Sequence, residues 1–194
     1  MHAINALRHA LPDAPTIIVL SESEIERWEE LCREHNFISP EIAVGGPTRF
    51  DSVRNALRLV DDGIDYVLVH DGARPFPSPR LIREVADALH AEGVDGAIPA
   101  VPLTDSVRLL EADGASTAVD RSRYRSVQTP QGFPAGLLKE AYAKAAGPEG
   151  FTDDASVMEA AGYDRIVLTQ GDPDNIKITN PHDLALARAI MEAE

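Results

Sequence analysis

Short apolar runs alternate along the chain with longer segments whose apolar residues recur at helical spacing. Runs rich in β-branched residues, such as 16–20 and 66–69, are typical of strands buried in a parallel sheet. The longer segments carry apolar residues three and four positions apart, as amphipathic helices do. The predicted strands are 16–20, 41–44, 66–69, 96–101, 165–169 and 175–179, and the predicted helices are 1–11, 21–35, 50–60, 78–91, 135–146, 153–161 and 181–192. This alternation predicts an α/β domain with a mostly parallel sheet and helices on both faces.

One segment, 103–128, departs from the alternation. Two short apolar stretches, 107–111 and 117–119, flank an Ala-Asp-Gly-Ala turn, which predicts a β-hairpin. Arginines alternate at 121, 123 and 125, and this local excess of cations indicates either an anion site or an extended edge protected by charge. We therefore predict one domain, 1–194, from which an arm formed by 103–128 protrudes.

Composition narrows the possible partners. The 194 residues are 44% hydrophobic, enough for an ordinary globular core. The net charge of −14 repels phosphate backbones and predicts that nucleic acid is not a partner. Cys32 is the only cysteine, which excludes an intrachain disulfide and a thiolate metal cluster. With no bilayer-length apolar run and no signal-peptide pattern, we expect a cytoplasmic protein without a membrane partner.

Polar residues and glycines cluster where predicted strands end, which is where open α/β sheets bind ligands. Asp71 can bind a sugar hydroxyl or lie near a metal, or it can pair with Arg74 inside a turn. Arg74 has a planar guanidinium suited to phosphate, although a surface arginine is often only solvated. Gly45 and Gly46 either let backbone amides approach a ligand or form a plain turn. We interpret His70, at the end of an apolar strand, as structural.

Four further residues and one segment are also candidates. Lys177 lies on a predicted late strand and faces either a pocket or water. Arg49 and Ser52 open a helix, where they contact a ligand or serve as a surface charge and a first-turn cap. Thr129 offers a hydroxyl in a rigid loop of a common type, and 152–156 has the pattern of a helix cap. No P-loop, dinucleotide-binding loop, nucleophile elbow or zinc-protease helix motif occurs, so simple oxidoreductases, hydrolases and zinc enzymes lack support.

Six segments, taken in chain order, resemble the 2-C-methyl-D-erythritol 4-phosphate cytidylyltransferase family. They are Gly45-Gly46-x-x-Arg49-x-Asp51-Ser52-Val53, His70-Asp71-Gly72-Ala73-Arg74-Pro75, Asp120-Arg121, Gln128-Thr129-Pro130-Gln131, Thr152-Asp153-Asp154-Ala155-Ser156 and Asn175-Ile176-Lys177-Ile178-Thr179. Each segment alone is weak evidence for the family, but six segments in this order are specific to it. The resemblance runs from near residue 15 to the C-terminus.

The resemblance implies a Rossmann-like fold of the nucleotide-diphospho-sugar transferase type and a transferase activity. CTP and 2-C-methyl-D-erythritol 4-phosphate would give the CDP-linked alcohol and pyrophosphate, a step of the non-mevalonate route to isoprenoids. The implied cofactor is Mg²⁺, bound mainly through the phosphates of CTP, with no metal ligand assigned to the protein. The arm resembles one that reaches into the neighbouring subunit of a homodimer.

The resemblance also implies roles for individual residues. The nucleotide-binding residues would be Gly45, Gly46, Ser52, Asp71 and Ala73; the substrate-binding residues Asp71, Arg74, Ser106, Thr129 and Thr152; and the catalytic residues Lys177 and Arg121. Threonine is the usual residue at position 106 in the family. Residues 106 and 121, on the arm, would complete the substrate site of the partner subunit.

The start of the chain departs from the family pattern. The family begins with a central strand and a glycine-rich loop whose arginine and lysine wrap the triphosphate, and nothing before Leu11 matches it. We therefore expect a domain truncated at its N-terminus, lacking its first strand and phosphate loop. The loss of two phosphate cations predicts weak or no activity, and the loss of the strand predicts unpaired neighbouring strand edges.

Two other functions fit the same motifs. A ribitol-5-phosphate cytidylyltransferase shares most of them, and assays with both polyol phosphates separate it. The second is a non-catalytic binding module that kept the fold. Magnesium-dependent binding of CTP would favour an enzyme site, and no binding would favour the module.

Overall fold

A computed structural model describes residues 1–193, and strands paired in three sheets form its framework. The strands are β1 Ile17–Leu20, β2 Glu41–Val44, β3 Tyr66–Val69, β4 Gly96–Pro102, β5 Arg108–Leu110, β6 Ser116–Ala118, β7 Arg125–Val127, β8 Gln131–Pro134 and β9 Ile166–Gln170. The helices are α1 His2–Ala10, α2 Ile25–Glu34, α3 Arg49–Leu57, α4 Pro79–Ala88, α5 Ala135–Lys144, α6 Asp154–Ala160 and α7 Pro181–Ala193. None of these helices is long and apolar enough to cross a membrane.

The main sheet has five strands. Its hydrogen-bonded order is β3-β8-β4-β7, and β9 also pairs with β4. The β4–β9 ladder is parallel, whereas β8 pairs antiparallel with both β3 and β4, and β7 pairs antiparallel with β4. Strands β1 and β2 form a separate parallel pair, and the described residues form no ladder between that pair and the main sheet.

Helices pack on both faces of the main sheet because successive side chains of a strand point to opposite faces. Val67 and Val69 of β3 pack into a core formed with α3, α5 and α6. Tyr66 and Leu68, the alternate residues of the same strand, pack into a second core under α4. A smaller apolar cluster around Trp28 lies against the β1–β2 pair. The predicted α/β architecture with helices on both faces is therefore confirmed, but the main sheet is mixed rather than mostly parallel, since only its β4–β9 ladder is parallel.

The helices near the strand ends begin at caps that the sequence supplies. Thr48 accepts a hydrogen bond from the backbone N–H of Asp51 and so caps α3. Ser78 caps α4, and Pro79 occupies its first turn, where the missing N–H has no helical partner to lose. Asp153 and Ser156 form a reciprocal capping box at the start of α6. These caps fix where each helix starts relative to the sheet.

The structure differs from the predicted elements at two places in the main body. Segment 175–179 was predicted as a strand, but it joins no sheet ladder; Ile178 makes one backbone hydrogen bond, to the carbonyl of Ala73. Lys177 therefore lies on a loop and not on a strand. Strand β8 was not predicted, and it is paired on both sides, with Gly132 packed against side chains from α4 and β3.

The hairpin predicted inside 103–128 is present as β5 and β6, with Gly114 at a positive φ of 87° in its turn. The last part of that range, β7, pairs with β4 and belongs to the main sheet. Leu109 and Leu110 on the hairpin are exposed. The excursion from the body is therefore shorter than the predicted arm, and it presents apolar side chains to solvent.

Candidate functional site

Asp71, on the loop that follows β3, lies at the centre of a cluster of charged residues. One carboxylate oxygen, Oδ1, accepts a hydrogen bond from Arg49 Nε at 3.0 Å, and the other, Oδ2, is 2.8 Å from Lys177 Nζ. The side chain is mostly buried. Burial alone would raise its pKa, but the hydrogen bond from Lys177 and the positive charge of Arg49 hold the pKa of Asp71 below its ordinary value. Asp71 is therefore ionised and shared between two cations.

Arg49, the first residue of α3, links this cluster to the interior. Its Nη2 donates to Asp154 Oδ2 at 2.6 Å, while its Nε donates to Asp71. Burial disfavours the charge of Arg49, but the two carboxylates more than offset it and raise its pKa above the ordinary value. Asp154 has no exposed surface, and its second oxygen accepts a hydrogen bond from the Tyr142 hydroxyl at 2.6 Å. Burial and the charge of Asp154 raise the pKa of Tyr142, so the phenol stays protonated and acts as the donor.

The loop that carries Asp71 is held by Thr129 and His70. The backbone N–H of Asp71 donates to Thr129 Oγ1 at 3.0 Å, and that hydroxyl lies 3.1 Å from His70 Nδ1. His70 Nε2 lies 2.8 Å from the carbonyl oxygen of Arg74. Burial lowers the pKa of His70 and favours the neutral ring. Both ring nitrogens have partners, one in the same loop and one on Thr129, which supports the structural interpretation of His70.

Arg74 ties three loops together. Its Nη1 donates to the carbonyl of Asn175 at 2.7 Å, and its Nη2 lies 3.5 Å from the carbonyl of Val127. Asn175 in turn donates from Nδ2 to the carbonyl of Thr129 at 2.8 Å. Burial lowers the pKa of Arg74. The alternative in which Asp71 pairs with Arg74 is not observed, because Asp71 binds Arg49 and Lys177 instead.

The Gly45-Gly46 turn connects β2 to α3. The N–H of Gly45 donates to the carbonyl of Leu20 at 2.7 Å, and the N–H of Gly46 donates to Ser52 Oγ at 3.1 Å. A Cβ added at Gly46 would lie 2.3 Å from the Cβ of Asp51, a distance that no real side chain tolerates. Glycine is therefore required at position 46 for the turn to pass this close to the helix.

The other predicted site residues differ in how near they lie to this cluster. The carbonyl of Ala73 accepts the backbone hydrogen bond that anchors the loop of Lys177. Thr152 is exposed at the start of α6, next to the buried Asp154. Ser106 and Arg121 are exposed on the arm; Arg121 donates to the carbonyl of Thr104 and contacts none of the residues around Asp71 within its own chain.

Sequence analysis missed the part of the cluster that is buried. Arg49 was left with two interpretations, as a ligand contact or a surface charge, Asp154 was assigned to a cap motif, and Tyr142 was not singled out. The cap belongs to Asp153, and Asp154 points into the core. One signal was available, since a second acidic residue directly after a capping aspartate is placed in the first turn of the helix, where its side chain can face inward.

The structure also limits how the site can hold a metal ion. Among the described residues, no three His, Cys, Asp or Glu side chains are grouped so that they could hold one. Asp71 is the one carboxylate of the cluster that is partly exposed, whereas Asp154 is enclosed. Mg²⁺ commonly binds through one or two carboxylates together with substrate phosphates. Both oxygens of Asp71 are already engaged by Arg49 and Lys177, so the residues present fit a magnesium ion that arrives on a phosphate ligand and is held mainly by that ligand.

Comparison with known proteins gives one consistent result. A family model described as IspD, 2-C-methyl-D-erythritol 4-phosphate cytidylyltransferase, matches residues 1–193. A protein of that name from Bacteroides fragilis is 47% identical over 177 residues, which is 90% of this chain and 78% of the relative. The solved 4-diphosphocytidyl-2C-methyl-D-erythritol synthase of Anaerococcus prevotii superposes with a TM-score of 0.87 at 26% identity, over 98% of this chain and 87% of that one. The cytidylyltransferase structure from Thermus thermophilus gives 0.77 at 33% identity, over 97% and 88%. The chain belongs to the 2-C-methyl-D-erythritol 4-phosphate cytidylyltransferase family.

Proposed function

We propose that this protein transfers the cytidylyl group of CTP to 2-C-methyl-D-erythritol 4-phosphate and releases pyrophosphate, a step of isoprenoid biosynthesis. The observation that carries the proposal is the cluster in which Arg49 and Lys177 converge on Asp71, next to a glycine turn at the strand ends. In a chain with a net charge of −14, such a convergence of cations is suited to a phosphate ligand. The family relatives, which carry the methylerythritol name, favour this acceptor over ribitol phosphate.

The reaction needs no covalent enzyme intermediate. An oxygen of the acceptor phosphate attacks the α-phosphorus of CTP, and the bond from that phosphorus to the bridging oxygen breaks. Pyrophosphate leaves with the electron pair, and negative charge grows on the oxygens around the phosphorus. Lys177, held by Asp71 at 2.8 Å, supplies a fixed positive charge for that transition state. Magnesium bound to the CTP phosphates supplies further charge neutralisation.

The nucleotide half of the site is assigned to the glycine turn. The N–H of Gly46 is bound to Ser52 and the N–H of Gly45 to Leu20, which fixes the turn at the start of α3, and this turn can present a backbone surface to the cytosine. Asp71 and Ala73 follow on the neighbouring loop and are assigned to the same nucleotide. Backbone groups in a rigid turn suit base recognition because little conformational entropy is lost when the base binds to them.

The acceptor half is assigned to Asp71, Arg74, Thr129 and Thr152. Thr129 is almost fully buried, and its hydroxyl is engaged by Asp71 and His70, so its contribution is to hold the loop of Asp71. Thr152 is exposed at the start of α6 and can contact the acceptor directly. Arg74 donates to the carbonyls of Asn175 and Val127, so it carries its positive charge at the place where these segments meet the loop of Asp71.

We also propose that two copies of the chain associate through the arm. Leu109 and Leu110 on the hairpin and Tyr124 beyond it are exposed, and such side chains are typical of a surface that a partner covers. Ser106 and Arg121 lie away from the site of their own chain, and in the dimer they would complete the acceptor site of the partner. A cytoplasmic location stays a prediction from the single cysteine and the composition.

The decisive experiment measures pyrophosphate release by the purified chain with CTP, Mg²⁺ and either methylerythritol phosphate or ribitol 5-phosphate. Turnover with the first acceptor and little with the second supports the proposal. Lys177→Met should lower kcat about a hundredfold, the effect of removing one transition-state donor. Lys144→Met is the matched control, because Lys144 is exposed on α5 and pairs with Glu140. Faster turnover with ribitol phosphate, or pyrophosphate release no higher than in the absence of the chain, would contradict the proposed function, whereas a low but measurable rate with methylerythritol phosphate would support it.

A further inference from the structure

The buried carboxylate of Asp154 is fully committed to two donors. Its Oδ2 accepts from Arg49 Nη2 and its Oδ1 accepts from the Tyr142 hydroxyl, each at 2.6 Å. The side chain has no exposed surface. Charge-assisted hydrogen bonds of this length are among the stronger ones in proteins. Asp154 therefore cannot contact a ligand itself. It binds Arg49, however, which contacts the partly exposed Asp71.

The contacts form an unbroken chain from the core to the reacting groups. Tyr142 binds Asp154, Asp154 binds Arg49, and Arg49 uses its Nε to bind Asp71 Oδ1 at 3.0 Å. Asp71 holds Lys177 through its other oxygen. The guanidinium of Arg49 is planar, so fixing one edge on Asp154 fixes the direction in which the Nε–H points. The orientation of Asp71, and through it that of Lys177, depends on Asp154.

The inner end of this chain is rigid. Asp153, the preceding residue, is held in the capping box of α6 and accepts a further bond from Gln131 Nε2 at 2.9 Å. The ring of Tyr142 stacks on that of Phe50 with centroids 4.7 Å apart. Phe50 is the neighbour of Arg49 on α3. The same packing therefore fixes the positions of the Tyr142 hydroxyl, the Asp154 carboxylate and Arg49.

Stability alone does not explain a buried carboxylate at this position. Removing an ion from water is costly, and replacing a buried ion pair by apolar residues is often neutral or stabilising. A packed core of Phe50, Tyr142 and neighbours could be completed by an apolar residue at position 154. What an apolar residue could not do is fix the guanidinium of Arg49.

We propose that Asp154 and Tyr142 are positioning residues for the transfer reaction, which hold Arg49 so that Asp71 and Lys177 are aligned with the reacting phosphates. This inference rests on the proposed function. It predicts that changes at either residue slow the chemical step more than they weaken the binding of CTP, because the glycine turn assigned to the base is unchanged.

Three conservative variants test the inference. Asp154→Asn keeps the shape but removes the charge, and Tyr142→Phe keeps the ring stack but removes the hydroxyl. Asp95→Asn is the matched control: Asp95 is also a buried carboxylate with an arginine partner, Arg165 at 3.1 Å, but it lies outside the cluster. We expect kcat to fall about tenfold or more in Asp154→Asn and about threefold in Tyr142→Phe, with the KM for CTP within about threefold of wild type. Asp95→Asn should leave kcat unchanged although it lowers the unfolding midpoint.

A double-mutant cycle separates positioning from general damage. If Asp154 acts through Arg49, Asp154→Asn should add less than about twofold to the loss already caused by Arg49→Lys. Multiplicative losses in the double variant would overturn the inference, and so would a kcat in Asp154→Asn equal to that of Asp95→Asn. Unfolding midpoints of all variants identify any that are not folded.

A measurement that does not need turnover keeps this inference distinct from the proposed function. The Nε–H resonance of Arg49, assigned by its loss in Arg49→Lys, should shift and broaden in Asp154→Asn and Tyr142→Phe but not in Asp95→Asn. If the wild-type chain gives no pyrophosphate, the proposed function fails, and the resonance alone then tests whether Asp154 fixes Arg49. An unchanged resonance in Asp154→Asn would refute the positioning role whatever the activity.

Discussion

The Gly46→Ala variant tests how closely the turn and helix α3 must approach each other. A Cβ at position 46 would lie 2.3 Å from the Cβ of Asp51 and 3.2 Å from its carbonyl carbon. Non-bonded carbons prefer to be at least about 3.5 Å apart, so the turn and the first turn of α3 must separate by roughly 1.2 Å. The atom in the way is a Cβ next to the backbone of a capped helix, which cannot swing aside.

The separation breaks specific contacts, and its cost follows from them. The 3.1 Å bond from the N–H of Gly46 to Ser52 Oγ is lost, and Arg49, in the same helical turn, moves relative to Asp71 and Asp154. Overpacking of this kind costs about 1–3 kcal/mol. For a chain of this size that corresponds to a fall in the unfolding midpoint of about 2–12 °C. A displacement of about 1 Å at a reacting group can also lower the rate about a hundredfold.

Two glycines provide graded controls. At Gly45 an added Cβ would meet Ser52 Oγ at 3.2 Å, a milder overlap, and at Gly63 it would meet nothing within 4 Å. Thermal unfolding, calorimetric titration of CTP and pyrophosphate release should rank the alanine variants in the order 46, 45, 63, with position 63 equal to wild type. If Gly46→Ala matched Gly63→Ala in unfolding midpoint and in CTP affinity, the close approach would have no energetic consequence and the reasoning would be wrong.

Three further predictions concern pH, the arm and the dimer. The pKa of Asp71 is lower in the folded chain than its unfolded value of about 3.9. Its ion pairs therefore stabilise the fold above that pH, and this stabilisation is lost as the pH falls through the folded pKa. In urea unfolding between pH 3 and 7, the free energy of unfolding should fall more steeply with acid for wild type than for Asp71→Asn. Arg121→Ala should raise the KM for the acceptor more than that for CTP, and equal rises, or the same result in Arg123→Ala, would count against its role. Leu110→Asp should convert a dimer to a monomer in light scattering, whereas an unchanged mass would exclude the arm from the interface.

The elements that could be predicted from the sequence are those whose pattern is local. Strands β1, β2, β3, β4 and β9 are β-branched or small-residue apolar runs, and periodicity located them to within a residue or two. Strand β8 was not predicted because Gln131-Gly132-Phe133-Pro134 contains the residues that usually end strands. It forms because Phe133 is fully buried and Gly132 lets side chains of α4 approach. Both causes are tertiary contacts that no local pattern shows.

The error at 175–179 has the opposite cause. Ile176 and Ile178 alternate with polar residues, as they would in a strand, but the loop of Ala73 offers only one backbone partner there. Asn175 uses its side chain to bind the carbonyl of Thr129, and its own carbonyl accepts from Arg74. The alternation correctly predicts that Ile176 and Ile178 face inward, but it does not predict whether the segment forms hydrogen bonds with a neighbouring strand.

The rule that ligands bind at strand ends selected Asp71 as a candidate, which stays a prediction, but it did not identify the residues that Asp71 contacts. Arg49 and Asp154 are 105 positions apart in the chain, and Arg49 and Asp71 are 22 apart. No spacing argument reaches across such separations, and a cap motif explained 153–154 well enough to hide the buried carboxylate. The exposed half of the cluster could therefore be anticipated from sequence, whereas the residues that orient it required the fold.

The charge of the cluster explains why Asp154 is a sharp test of positioning. Arg49, Arg74 and Lys177 carry three positive charges against the two negative charges of Asp71 and Asp154, which leaves a local excess of one in an otherwise acidic chain. Neutralising Asp154 raises that excess, so electrostatic attraction alone predicts that Asp154→Asn binds CTP as well as wild type or more tightly. Loss of alignment predicts slower turnover. Because the two effects have opposite consequences for binding and for rate, tighter binding of CTP together with a slower chemical step in single-turnover measurements supports control by the orientation of Arg49, whereas a lower kcat with an unchanged chemical step would point to slower product release.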